Sequence, residues 1–243
     1  MKKGFFTIMA AQFFSSLADN ALFVAAVELL RTSGAGEWQR AALVPMFALF
    51  YVVLAPFVGA FADALPKGRV MFISNSIKVV GCLLMLFGGH PLMSYAIVGL
   101  GAAAYSPAKY GILTEYLPHP KLVVANGWIE GLTVGSIILG TVLGGALVSE
   151  TLSSRLLAFD FPLIDTGIDT AAEVAIALII VFYALAAIFN IYVPLTGFVS
   201  RPVERNPILL VRDFAHGLRL LWKDKLGQIS LATTTLFCGA GTT

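Results

Sequence analysis

An all-α, polytopic membrane fold is predicted by this sequence, and three observations carry the prediction. Hydrophobic residues make up 58% of the 243 and charged residues only 12%, a balance no soluble domain can bury. Six apolar runs each approach the roughly 20 residues that a helix needs to cross a bilayer core. Cations, finally, collect in alternate connections between those runs, as they do when cationic loops resist translocation.

The runs occupy residues 5–30, 41–62, 70–89, 92–113, 122–148 and 171–195, and a seventh begins near Leu226 and is cut off at Thr243. The first follows Lys2 and Lys3, is too long for a signal-peptide core and lacks a convincing cleavage site, so it reads as a retained span. Pro56 and Pro107 fall inside the second and fourth runs and should bend them. The chain accordingly divides into a six-helix bundle over 1–195, a linker over 196–225 and the start of a seventh span over 226–243.

Orientation follows from the cations. With a cytoplasmic amino terminus, Lys2, Lys3, Lys67, Arg69, Lys121, Arg201, Arg205, Arg212, Arg219, Lys223 and Lys225 lie inside, and only Arg31, Arg40 and Arg155 outside. The outer connection between runs five and six is acidic, with Glu150, Asp160, Asp165, Asp169 and Glu173 against Arg155, and reads as a solvated hairpin. In the inner linker, Leu209, Leu210, Phe214, Leu218 and Leu221 recur at helical spacing opposite Arg212, Asp213, Arg219 and Lys223, which marks an amphipathic helix. Two settings fit that pattern: the underside of the bilayer, and packing on protein.

Charges inside apolar runs are costly, about 2.5 to 3.5 kcal/mol each on insertion scales, and therefore need a partner or a wet cavity. Asp19 and Asn20 form a polar notch with Ser15 and Ser16 in the first run. Lys78 lies in the third and Lys109 follows Pro107 in the fourth. Glu130 lies in the fifth, one turn after Asn126 and on the same face. Asp19, Asn20, Lys78, Lys109, Asn126 and Glu130 are thus the candidate cavity residues. Lys78 and Glu130 each sit about 8 residues in from the same side, roughly 12 Å deep, so either a direct ion pair or two cavity-lining groups would fit. Lys109 is near enough to the interface to snorkel, so headgroup anchoring competes with substrate contact.

Gly127, Gly131 and Gly135, followed by Gly140 and Gly144, leave a face on which another helix can approach closely. Between runs two and three, Gly59, Asp63, Lys67, Gly68 and Arg69 read as a clasp, with a carboxylate ending one helix, a tight turn, and two cations opening the next.

Enzymatic chemistry finds little footing. Gly99-x-Gly101-x-x-Ala104 imitates a dinucleotide fingerprint but lies within an apolar run with no strand before it, which points to helix packing. His90, His119 and His216 lack ligand spacing, and Cys82 and Cys238 sit in apolar stretches as buried thiols, so no cofactor or metal site is read. A net charge of +2 gives no basis for nucleic-acid binding.

The loop from Gly59 to Arg69 resembles the glycine, aspartate, glycine and basic-residue motif of the major facilitator superfamily, with two extra residues between Asp63 and Gly68. Three further strings, Ala18-Asp19-Asn20-Ala21-Leu22, Ala55-Pro56-Phe57-Val58-Gly59 and Gly101 through Leu113 around Tyr105-Ser106-Pro107-Ala108-Lys109-Tyr110-Gly111, are similar to the bacterial lysophospholipid transporters of that superfamily, as is Lys121 through Gly127. The resemblance implies a twelve-helix flippase of the bacterial inner membrane that moves lysophospholipids from the outer to the inner leaflet. An acyltransferase or acyl-carrier-protein synthetase partner would then restore the missing chain. It also implies that the cations of the cavity meet a phosphate and its carboxylates an ethanolamine ammonium, among membrane lipids and with a carboxy-terminal bundle that this chain does not reach. Two other readings stay open: a drug or metabolite exporter of the same superfamily, and a transport-inactive fragment that scaffolds an acyltransferase.

Overall fold

A computed structural model of the chain describes residues 3–158, 168–196 and 207–241. Lys2, Asp160, Asp165, Arg201 and Arg205, used above for orientation and loop charge, lie outside them. Two compact units divide at Arg201.

The first unit holds eight helices among the described residues: α1 (Lys3–Thr32), α2 (Glu37–Val53), α3 (Ala55–Ala64), α4 (Lys67–Leu86), α5 (Pro91–Tyr116), α6 (His119–Leu147), α7 (Glu150–Leu157) and α8 (Ala171–Ile191). With 30 residues, α1 is about 45 Å long, more than a bilayer core. The second predicted run is not one helix. Pro56, in the first turn of α3, has no N–H to continue the ladder of α2, which closes with Leu54 N–H on the Phe50 carbonyl at 3.0 Å. The axis turns by 64° there. Pro107, by contrast, is carried within a continuous α5.

By length and apolarity, α1, α4, α6 and α8 each qualify as membrane spans among the described residues, and the bent pair α2–α3 would make a fifth. The fourth predicted run, α5, does not reach that apolarity, because it is built from Gly, Ala, Ser and Tyr with Lys109 and Glu115. Its reason lies in packing: most of α5 is buried against α2, α3 and α4, so small side chains serve it better than large apolar ones.

Local signals set the helix ends. Gly34 (φ +70°) and Gly88 (φ +81°) take the left-handed turns after α1 and α4, which side chains rarely adopt. Pro91 opens α5. Thr170 caps α8 in a capping box in which Glu173 accepts the Thr170 N–H at 2.8 Å and its own N–H donates to the Thr170 hydroxyl at 3.3 Å. Glu173, counted above with the acidic loop, is therefore also a helix cap.

The packing has an internal symmetry. The principal neighbours are α1 with α6 and α8, α4 with α5 and α8, and α5 with α2 and α3. Exchanging α1, α2–α3 and α4 for α5, α6 and α8 maps this set onto itself, as in bundles built from two three-helix repeats. Two apolar cores result. One gathers Leu22, Leu30, Leu43, Met85 and Ile176, and the other Phe5, Ile8, Met71, Ile112 and Ile129. Polar residues from the middle of α1 lie between the two.

The second unit contains α9 (Pro207–Lys223) and α10 (Lys225–Gly241), separated by Asp224 alone. α9 matches the amphipathic helix read from the linker, and α10 occupies the predicted seventh run.

Candidate functional site

The middle of α1 carries Gln12, Ser15, Ser16 and Asp19 on the side that meets α4, α5 and α6. Lys78 of α4 reaches across to Asp19, its Nζ 2.8 Å from both Oδ1 and Oδ2 and 3.0 Å from Ser15 Oγ. Tyr183 of α8 donates its hydroxyl to Asp19 Oδ1 at 2.7 Å, and Ser15 donates to Asn75 Oδ1 at 2.8 Å. The Lys78 ammonium also lies 5.3 and 5.4 Å from the ring centroids of Tyr105 and Tyr183, within cation–π range. Lys78 is 1% exposed, so this pair is a charge neutralised inside the bundle, held by three helices at once.

Of the two arrangements left open for Lys78 and Glu130, the direct ion pair is not formed. Equal depth fixes the height of a group in a bundle but not the direction it faces. The neighbours of α4 are α5 and α8, whereas Glu130 stands exposed on α6 and accepts the Tyr110 hydroxyl at 2.8 Å.

Lys109 presents the opposite electrostatic case. It is 8% exposed, yet its Nζ donates to the Thr133 hydroxyl at 3.0 Å and has no ion pair among the described residues. The ring of Tyr110 lies 4.9 Å away, and Gln12 donates to the same Thr133 oxygen at 3.2 Å. Asp19, Lys78 and Lys109 line one cavity of about 140 Å³ together with Gln12, Ser15 and Thr133. Asn20, Asn126 and Glu130, expected in it, are not among its lining residues. Asn20 instead donates to the Ser16 carbonyl at 2.8 Å, and Asn126 is exposed on α6. With Asp19 and Lys78 paired, the cavity keeps one cation with no ion pair among the described residues and suits an anion.

Tyr183, Asn75 and Thr133 escaped the sequence reading. Tyr183 and Thr133 are single polar side chains among apolar neighbours, and only Asn75, between Ser74 and Ser76 and near Lys78 in the third run, offers a signal comparable to the charges.

At the end of the bundle where α3 turns into α4, Lys67 is buried. Its Nζ lies 2.6 Å from Asp63 Oδ1, 2.8 Å from the Ala62 carbonyl and 3.6 Å from Glu115 of α5. Thr196, beyond α8, donates to Glu115 Oε2 at 2.7 Å. The expected clasp is thus partly assembled, through Lys67 and the unforeseen Glu115. Gly68 abuts the Asn190 carbonyl and Val193, where a Cβ would come within 3.0 Å of the carbonyl oxygen. Two members are corrected. A Cβ on Gly59 would meet nothing within 4 Å, so no helix is seated closely there, and Arg69 is exposed with no ion pair among the described residues.

The glycine face of α6 divides in the same way. A Cβ on Gly140 would sit 2.5 Å from the Leu17 carbonyl oxygen, and one on Gly144 2.8 Å from that of Ala21, so these two seat α6 on α1. Gly127, Gly131 and Gly135 have nothing within 4 Å and floor an apolar groove of about 490 Å³ with Phe13, Val124, Trp128, Leu132 and Leu139. Gly140→Ala is therefore expected to destabilise the bundle by about 1–3 kcal/mol, since backbone cannot yield. Gly131→Ala should be neutral or stabilising by up to about 1 kcal/mol through helix propensity. Thermal midpoints of the two variants in detergent check this; equal losses would mean that the open face is packed. Gly99 and Gly101 likewise abut Phe47 and Ser74 carbonyls, which accounts for the nucleotide-like spacing as helix packing.

A helical bundle with apolar spans, an internal three-helix repeat and a charged layer at mid-height defines a polytopic membrane protein with a polar interior. The chain belongs to the Major Facilitator Superfamily, which residues 8–243 match. It is similar along all 243 residues, at 38% identity, to "Lysophospholipid transporter LplT" of Yersinia enterocolitica serotype O:8 / biotype 1B and to its namesakes in Yersinia pestis (strain Pestoides F) and Yersinia pseudotuberculosis serotype O:3. The chain spans 55% of the length of those relatives.

Proposed function

We propose that this protein forms part of a transporter, not an enzyme, that moves lysophospholipids from the outer to the inner leaflet of the bacterial inner membrane. The single observation that carries the reading is Lys109, a buried cation whose polar partner is a hydroxyl, in a cavity whose other charges cancel. A lysophospholipid supplies the counter-charge as a phosphate, and charge-assisted hydrogen bonds to phosphate are the strong kind. Glu130, held by Tyr110 on the neighbouring helix, is the carboxylate available to an ammonium headgroup. The groove floored by Gly127, Gly131 and Gly135 is apolar and open, and suits a single acyl chain.

The relatives' printed name supports the substrate class. The eleven cations assigned to the inner side, Lys67, Arg69 and Lys121 among them, against Arg31, Arg40 and Arg155 support a cytoplasmic amino terminus. On this reading a second bundle completes the pathway and Lys67 with Asp63 and Glu115 forms a cytoplasmic clasp that exchanges partners as the bundles move. An acyltransferase or acyl-carrier-protein synthetase consumes the delivered lipid.

Spheroplasts expressing the protein together with the remaining part of a relative are expected to take up radiolabelled lysophosphatidylethanolamine and convert it to the diacyl lipid. Resistance to toxic compounds without lipid uptake would replace the reading with drug export. Co-purification with an acyltransferase and no lipid movement would reduce the protein to a scaffold.

A further inference from the structure

α9 has no buried residue. At 100° per residue, Arg212, His216, Arg219 and Lys223 fall within an arc of about 60°, and Leu210, Phe214 and Leu221 lie opposite. Trp222 is 72% exposed beside them. A helix of this length with a stripe of cations, Leu and Phe opposite it and Trp222 at the boundary between the two has the composition of one that lies in a membrane interface.

Position favours the same partner. Asp224 alone separates α9 from α10 and accepts the Gly227 N–H at 3.0 Å, while the Trp222 carbonyl accepts from Gln228 Nε2 at 2.6 Å. A Cβ on Gly227 would stand 2.5 Å from the Leu221 carbonyl oxygen, so the corner between the two helices is tight and admits only glycine. With α10 read as a membrane span, this corner holds the carboxy-terminal end of α9 at the bilayer boundary. We propose that α9 lies on the membrane surface and binds anionic phospholipid, with its apolar face among the acyl chains and Arg212, Arg219 and Lys223 on the phosphates. The inference rests on the membrane-embedded reading of the chain, not on its substrate.

The local chemistry supports a lipid surface over a single bound ligand. The cations form a stripe along the helix, as a charged plane rewards and a point ligand does not, and each one near an anionic surface raises the bound population about five-fold. The apolar half has no other occupant within the described unit.

The test uses the full chain in nanodiscs, with Cys238→Ser and an environment-sensitive fluorophore on Leu221→Cys. In discs of phosphatidylcholine with a third of the lipid replaced by phosphatidylglycerol, the dye is expected to report an apolar setting. The triple variant Arg212→Gln, Arg219→Gln, Lys223→Gln should lower the bound-to-free ratio about a hundredfold. Lipid uptake is measured separately, so loss of transport with the dye response intact would sink only the substrate reading. Equal emission in discs with and without phosphatidylglycerol, or indifference to the triple variant, would overturn the proposal in favour of packing on protein. A dye response that needs an added acidic protein would overturn it too.

Discussion

Lys78→Met is expected to be the most damaging single substitution in the bundle. It leaves Asp19 with the Tyr183 hydroxyl as its remaining partner, a carboxylate stranded between two apolar cores. Removing one member of a buried ion pair costs about 3–5 kcal/mol, because the charge left behind has lost its counter-ion, and Asp19, 21% exposed on the cavity, recovers only part of its hydration. Asp19→Asn should cost a comparable amount by stranding Lys78, which is 1% exposed. The double variant Asp19→Asn, Lys78→Met leaves no charge and should recover most of the loss, since a neutral pair of similar volume carries no desolvation penalty. Thermal midpoints of the four proteins in one detergent form the cycle. Additive losses would mean that the two residues do not act on each other and that the contact is incidental.

For Lys109 the opposite pattern is expected. Lys109→Gln removes a buried cation that has no carboxylate partner among the described residues, so it strands nothing and relieves a desolvated charge. Stability should hold or rise. Binding of lysophosphatidylethanolamine should instead weaken by about 1.5–3 kcal/mol, roughly ten- to a hundredfold, the range for a hydrogen bond to a charged group. Equilibrium binding of the radiolabelled lipid, beside a melting curve of the same preparation, separates the two effects. Unchanged affinity would remove the phosphate from Lys109, and a fall in stability of several kcal/mol would make Lys109 a structural residue like Lys78. Two buried lysines in one cavity thus carry predictions of opposite sign, and the difference rests on whether a carboxylate stands within 4 Å.

Much of this layout was legible beforehand because a bilayer punishes error so heavily. Asp19, Lys78 and Lys109 stood out for the free energy each charge demands, and all three line the cavity. Their partners were not legible. Ser15 alone was marked, as part of the notch; Asn75, Thr133 and Tyr183 are ordinary residues in apolar runs, and Glu115 sits at a helix end where a carboxylate needs no explanation. Whether Lys78 would pair with Glu130 stayed open because depth along a helix carries no direction. The glycines of α6 were read as one face although the five-residue step from Gly135 to Gly140 turns the helix by about 140°; Gly140 and Gly144 meet α1, while a Cβ on Gly131 would meet open space.

Sequence by itself determined the class, the apolar character of most of the helices and the identity of the costly charges, since each follows from the transfer of single side chains and single helices into apolar surroundings, a local property. Only the tertiary structure decided that the second run breaks at Leu54, that Lys78 neutralises Asp19, that Lys109 is left over, and that Lys67 reaches Glu115. Those outcomes depend on which helices become neighbours and which way each face turns. Packing of the whole bundle settles both, and no one span encodes either.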